Sequence, residues 1–142
     1  MEYFKEKALI EEGQVYKHTF QFTQADVVDF ARVTGDDNPI HLDEEYAAQT
    51  SFKQPIMHGF LSGAAFSKVL GKFFPGQGTI YVSQTMKFLR PMYVEYPYVT
   101  VFTVLNVNRK RHRAILKTEI LDKVTEKVML TGEAEVMHPE KI

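Results

Sequence analysis

Residues 60–74 read F-L-S-G-A-A-F-S-K-V-L-G-K-F-F, and nearly every position except Ser62, Ser67, Lys68 and Lys72 is apolar or small. Pro75-Gly76 and Gly78 then stop the run. A helix so apolar around its circumference belongs inside a fold, and Gly63, Ala64 and Ala65 would let strands approach it closely. The chain beyond Gly78 supplies those strands. Residues 79–90 place Ile80, Val82, Met86 and Phe88 on one face until Pro91. Residues 98–107, Y-V-T-V-F-T-V-L-N-V, are β-branched and aromatic and apolar on both faces. Residues 114–121 come after a basic turn. Residues 127–137 alternate Val128, Leu130, Gly132, Ala134 and Val136 against Met129, Thr131, Glu133, Glu135 and Met137. Short turns between successive strands imply an antiparallel meander. The expected class is α+β, a long buried helix enclosed by a curved antiparallel sheet, with residues 1–142 forming one domain.

Upstream, residues 15–22 alternate, with Tyr16, His18, Phe20 and Phe22 on the more apolar face, so a strand is expected with His18 packed in it. Thr23-x-x-Asp26 has the form of a capping box, opening a helix that carries Val27, Phe30, Ala31 and Thr34 near one stripe. Gly35 stops it. Asp43 can cap a short helix over residues 44–48, with Glu44 and Glu45 suited to its first turn. A polar loop over residues 50–54 and an extended Pro55-Ile56-Met57 lead to His58-Gly59 and the long helix.

Composition narrows the function classes. The 142 residues suffice for one real core, and 44% hydrophobic with 25% charged residues is ordinary for a globular chain. A net charge of −1 gives no general attraction to nucleic acid or an anionic membrane. The lack of cysteine excludes disulfides, thiolate nucleophiles and thiolate metal sites. Residues 1–13 have no apolar core and too many acids for a signal or transit peptide, and no stretch is long enough to span a bilayer. A soluble, cytoplasmic protein with no nucleic-acid or membrane partner is expected.

The chemistry concentrates in residues 30–43, F-A-R-V-T-G-D-D-N-P-I-H-L-D. On a continuous helix Asp36 and His41 would sit roughly 140° apart. Pro39 removes a backbone donor and pushes Asn38 towards an extended conformation, so the chain must turn, and a turn can bring the two side chains together. An Asp and a His meeting there could share the proton transfers of acid–base catalysis. The same residues also suit a helix-terminating loop with an Asx-turn and a surface histidine. Gly59 is the second candidate: unpaired N–H donors at a helix start can hold a developing oxyanion, although a glycine also fits a merely crowded helix start. His58 reads as a substrate ligand or as a residue orienting the neighbouring loop. The cluster 108–113, N-R-K-R-H-R, reads as a solvated hairpin tip or as a phosphate handle. No metal is expected, because among His41, His58 and Asp43 the spacing His41-x-Asp43 fits no ligand pattern and no H-E-x-x-H motif or cysteine cluster exists. Ser62 and Ser67 lie in no nucleophile elbow, and no phosphate loop is present.

With these residues in view, the sequence resembles the MaoC-like, (R)-specific enoyl-CoA hydratase family of hotdog-fold proteins. The pattern is F-A-x-x-T-G-D-x-N-P-I-H-x-D over residues 30–43, then Ala47 and Phe52, then I-M-H-G-F-L over residues 56–61. The likeness covers nearly the whole chain. It implies a long helix wrapped by an antiparallel sheet, a homodimer or an assembly of dimers, an acyl-CoA or acyl-carrier-protein thioester as substrate, and no cofactor. It also implies that Asp36 and His41 hold one water, which adds to C3 of a trans-2-enoyl thioester while a proton reaches C2 from the same face. Gly59 would donate its N–H to the thioester oxygen, and Asn38 would position the loop or the water. Candidate substrate contacts are Asn38, His58, Ser62, Arg109, Lys110 and Arg111. One departure stands out. After F-L-R-P at residues 88–91, relatives carry a glycine-aspartate turn where this chain has Val94-Glu95-Tyr96-Pro97. A carrier-protein dehydratase, a hotdog thioesterase and a non-catalytic thioester-binding subunit are the competing readings.

Overall fold

The computed structural model describes residues 8–142, so residues 1–7, part of the segment read against a leader peptide, lie outside the described residues. The chain runs β1 (Val15–Phe20), α1 (Gln24–Thr34), two short helices α2 (Pro39–Leu42) and α3 (Glu44–Ala48), and the long α4 (Gly59–Lys72). Five strands come next: β2 (Ile80–Gln84), β3 (Lys87–Phe88), β4 (Tyr98–Asn108), β5 (Arg113–Asp122) and β6 (Val128–Met137). They form one sheet in the order β1-β4-β5-β6-β2, with β3 also on β6, and every pairing is antiparallel. β1 and β2 lie at opposite edges, so the helical segment between them carries the chain across one face of the sheet.

That face is the core. Phe66, Val69 and Leu70 of α4 join Phe102, Val104, Leu116, Ile120, Leu130, Ala134 and Val136 of the meander. The rings of Phe66 and Phe102 meet edge to face at 5.8 Å. Alternation along β6 buries Leu130, Ala134 and Val136, as its sequence pattern requires. Each large apolar side chain removed from water stabilises the fold by about 1.5–3 kcal/mol. The α+β hotdog arrangement expected from the resemblance is the one the chain adopts. His18 packs as expected, its ring 5.1 Å from that of Phe73.

Three expectations need correction. First, α4 is not enclosed on all sides: Phe60, Ala64, Ser67, Lys68 and Gly71 are exposed, Phe60 to 70%. One sheet covers one side of a helix. Second, residues 79–90 are not one strand but two, broken at Thr85. A Cβ on Gly132 would lie 1.8 Å from the Thr85 carbonyl oxygen, so glycine there lets the chain kink onto β6. Thr85 stays attached through its N–H to the Glu133 carbonyl and its hydroxyl, which accepts from the Glu133 N–H. Third, β1 ends at Phe20 rather than residue 22, because the Phe22 carbonyl turns to accept the Glu95 N–H at 2.7 Å. Glu95 has φ 55, the left-handed conformation that a glycine would adopt without strain. In place of the aspartate after it, Tyr96 donates its hydroxyl to Asp122 at 2.8 Å.

Candidate active site

The site is assembled by caps and turns that the sequence writes locally. The Thr23–Asp26 capping box opens α1, and Gly35, at φ 80, closes it with its N–H on the Ala31 carbonyl. Asp36 comes directly after. Its N–H donates to the Thr34 hydroxyl at 3.2 Å, and its carbonyl accepts from His58 Nε2–H at 2.9 Å. Asn38 is extended (φ −52, ψ 126), as a residue before proline should be, and its side chain accepts the Ile40 N–H. Pro39 then stands at the first position of α2, where its missing N–H costs nothing. A segment expected to be a plain turn thus contains a short helix, and that helix carries His41. The His41 carbonyl accepts from Gln24 Nε2 at 3.1 Å, and its Nδ1–H donates to the Ile56 carbonyl at 2.7 Å.

These ties bring one potential ligand atom each from Asp36, His41 and His58 within 4.8 Å of one another. The two imidazoles face each other at a tilt of 30°, with centroids 3.9 Å apart. Because a carbonyl can only accept, His41 carries its proton on Nδ1 and keeps a lone pair on Nε2. Burial pushes the His41 pKa below its ordinary value, with the neighbouring His58 adding to the shift; the bond to Ile56 and the charge of Asp36 oppose it without reversing it. Neutral His41 is therefore the form at pH 7.

α4 starts beside this cluster. His58, its N-cap, makes no side-chain cap bond, and its carbonyl takes the N–H groups of Leu61 and Ser62. Among the described residues this leaves the N–H groups of Gly59 and Phe60 without backbone partners at the positive end of the helix dipole. A Cβ on Gly59 would lie 2.5 Å from Phe88 Cε1, so any larger residue would have to displace that ring. A cavity of about 490 Å3 opens here, its lining including His41, Gly59, Ser62, Met57, Met129 and Arg90.

Not every candidate residue converges. Ser62 lines the cavity. Asn38 is exposed and caps α2. His58 is 2% exposed and absent from the cavity wall, so its reading as a substrate contact gives way to a position behind His41. Arg109, Lys110 and Arg111 occupy the β4–β5 turn, next to the Met137 end of β6. The cavity touches β6 at Met129 and Leu130, roughly 24 Å away at about 3.4 Å per residue. Arg109 instead donates to the carbonyls of Ile10 and Lys141 and pairs with Glu11. Within one chain Arg109 is therefore a tie between the two ends of the described residues, and the turn that carries it lies away from this cavity. The donor set considered for a metal also changes. Asp43 caps α3 through the Tyr46 N–H, whereas Asp36 is the carboxylate that meets the two histidines. Two imidazoles and a carboxylate can hold a borderline cation, and the same lone pairs can hold a water. Sequence spacing missed Phe88 and Arg90, whose only signal was the F-L-R-P string.

Comparison with known proteins agrees with this geometry. The chain is 40% identical over 121 residues to the 3-hydroxybutyryl-CoA dehydratase of Methylorubrum extorquens, covering 85% of this chain and 76% of that protein. It is 36% identical over 130 residues to the (R)-specific enoyl-CoA hydratase of Aeromonas caviae, covering 92% and 96%. The solved structure of an (R)-hydratase from A. caviae superimposes with a TM-score of 0.87 at 36% identity, over 92% of this chain and 98% of that one. Residues 5–128 match the MaoC like domain, and the chain belongs to that family.

Proposed function

We propose that the protein is an (R)-specific hydro-lyase that adds water reversibly to trans-2-enoyl-CoA, giving (3R)-3-hydroxyacyl-CoA. The single observation carrying this reading is the convergence of Asp36 with His41, whose ring lines a cavity that also contains the uncapped start of α4. A water with hydrogen bonds of about 2.8 Å to each of two groups bridges atoms roughly 4.5 Å apart, a span that a cluster lying within 4.8 Å allows. Asp36 takes one proton of that water as its oxygen bonds to C3. The C2–C3 π electrons move towards the thioester, and the thioester oxygen becomes an enolate held by the Gly59 N–H. A proton then returns to C2 from the same side, since both proton-handling groups lie there. Names of relatives at 36–40% identity support thioester hydration and its reverse.

Crotonyl-CoA tests this directly. Hydration removes the conjugated-thioester absorbance and releases no thiol. Release of free thiol would select a thioesterase, and binding without either change would select a non-catalytic subunit.

The working form is a homodimer built on the face that one chain leaves open. Phe60, Ile80 and Phe88 are 70%, 58% and 52% exposed, beside an edge strand, β2, whose outer side is unpaired in the sheet. An apolar patch flanking a free strand edge is a liability in a monomer. Light scattering giving twice the chain mass supports this form; a monomer at micromolar concentration counts against it. No described helix is long and apolar enough to cross a membrane, in keeping with the cytoplasmic location we favour.

A further inference from the structure

We infer that His58 is a positioning residue for the reaction: its ring pins the main chain of Asp36 against the face of His41, and neither substrate nor water touches it. This inference rests on the hydratase reading above. His58 stands at the meeting point of three elements. It precedes α4, lies 4.7 Å centroid to centroid from Phe30 of α1, and packs with centroids 3.9 Å apart against His41 of α2. Its Nε2–H donates to the Asp36 carbonyl while Thr34 holds the N–H of the same residue. Both peptide groups of Asp36 are thereby fixed, and its carboxylate points from a turn that cannot slide past His41.

The other nitrogen of the ring shows that packing alone does not explain this residue. Nδ1 of His58 is buried without a hydrogen-bond partner among the described residues, and an orphan of that kind costs stability. A leucine would fill much of the same space without an orphan. What it would lose is the donor at Nε2. Displacing a reacting group by about 1 Å can cost as much as about 10²-fold in rate, so a single well-placed donor has a large lever here.

His58→Gln keeps an N–H near the position of Nε2, whereas His58→Leu keeps the bulk and loses the donor. With crotonyl-CoA, His58→Leu should lower kcat by about 10- to 100-fold with KM changed less than about threefold, and His58→Gln should recover most of kcat. Equal losses in both variants, or a His58→Leu enzyme within about threefold of the parent kcat, would overturn the inference. Nitrogen NMR of the imidazoles in the unmodified protein provides a check that needs no variant. A His58 ring carrying a proton on Nε2 is expected from its bond to the Asp36 carbonyl, and a ring protonated on Nδ1 alone contradicts the pin. Hydration by the unmodified protein separates these outcomes from failure of the hydratase reading itself.

Discussion

At the C-terminal end of α4 a buried histidine has both ring nitrogens occupied, whereas at the N-terminal end two histidines each keep one free. His138 donates from Nε2 to the Gln77 carbonyl at 2.8 Å, and its Nδ1 accepts the N–H groups of Glu140 and Lys141. Lys141 Nζ in turn holds the Pro75 carbonyl, and Arg109 joins Ile10 to Lys141. The far end has the same residue type but a different finish. His41 keeps Nε2 bare, His58 leaves Nδ1 unpartnered, and α4 begins without a side-chain cap. Leaving a buried polar group unpaired costs about 1–3 kcal/mol, so the orphaned Nδ1 of His58 is a cost of the kind that folds carry at functional sites. Full satisfaction marks the end that holds the protein together; incomplete satisfaction marks the end that does chemistry.

Substitutions at the two ends should therefore fail in different ways. The largest effect is expected at the open end, where Asp36→Asn and His41→Gln should each lower crotonyl-CoA hydration by about 10²-fold or more. Circular dichroism and melting temperature should stay close to the parent, and near-full activity in either folded variant would remove that residue from the proposed chemistry. Gly59→Ala should come next. The added methyl meets the Phe88 ring at 2.5 Å, so that ring of the cavity wall must shift, and kcat/KM should fall about tenfold with the fold retained. A smaller but diagnostic effect is the pH profile. The neutral form of His41 is the one required, and its lowered pKa preserves that form to lower pH. The acid limb of kcat/KM should therefore lie below the ordinary imidazole value of 6.5; a limb above it would mean that His41 is not held as described. The smallest effect on catalysis belongs to the closed end. His138→Ala should lose about 2 kcal/mol of stability from its severed hydrogen bonds, read as a lower denaturation midpoint, with kcat per folded molecule unchanged.

How far the sequence reveals this contrast depends on the range of the interactions involved. The capping box at Thr23, the stop at Gly35, the cap at Asp43 and the strands β4, β5 and β6 are short-range features, and each lies where local pattern puts it. Pro39 is harder to read, because the same residue breaks a helix interior and starts a helix at its first turn. Its neighbour Asn38 is extended in either case. Gly132 looks like one more inward position in an alternating strand, and its use in accommodating the Thr85 carbonyl depends on a partner 47 positions earlier in the chain. The Asp36–His41–His58 cluster is only half legible: the pattern foretells a turn, but not which carboxylate meets His58. The basic turn is legible as a hairpin tip but not in its contacts. Its charges are conspicuous in the sequence, yet Arg109 is committed to carbonyls at the two ends of the described chain.

The central claim is that Asp36 and His41 deliver both parts of a water molecule to an enoyl thioester from one side of it. Hydration of crotonyl-CoA in heavy water, with chiral and isotopic analysis of the product, measures this directly. The account predicts a (3R)-3-hydroxybutyryl thioester in which the hydroxyl at C3 and the deuterium at C2 have been added to the same face. A (3S) product, or deuterium added to the opposite face, would contradict it.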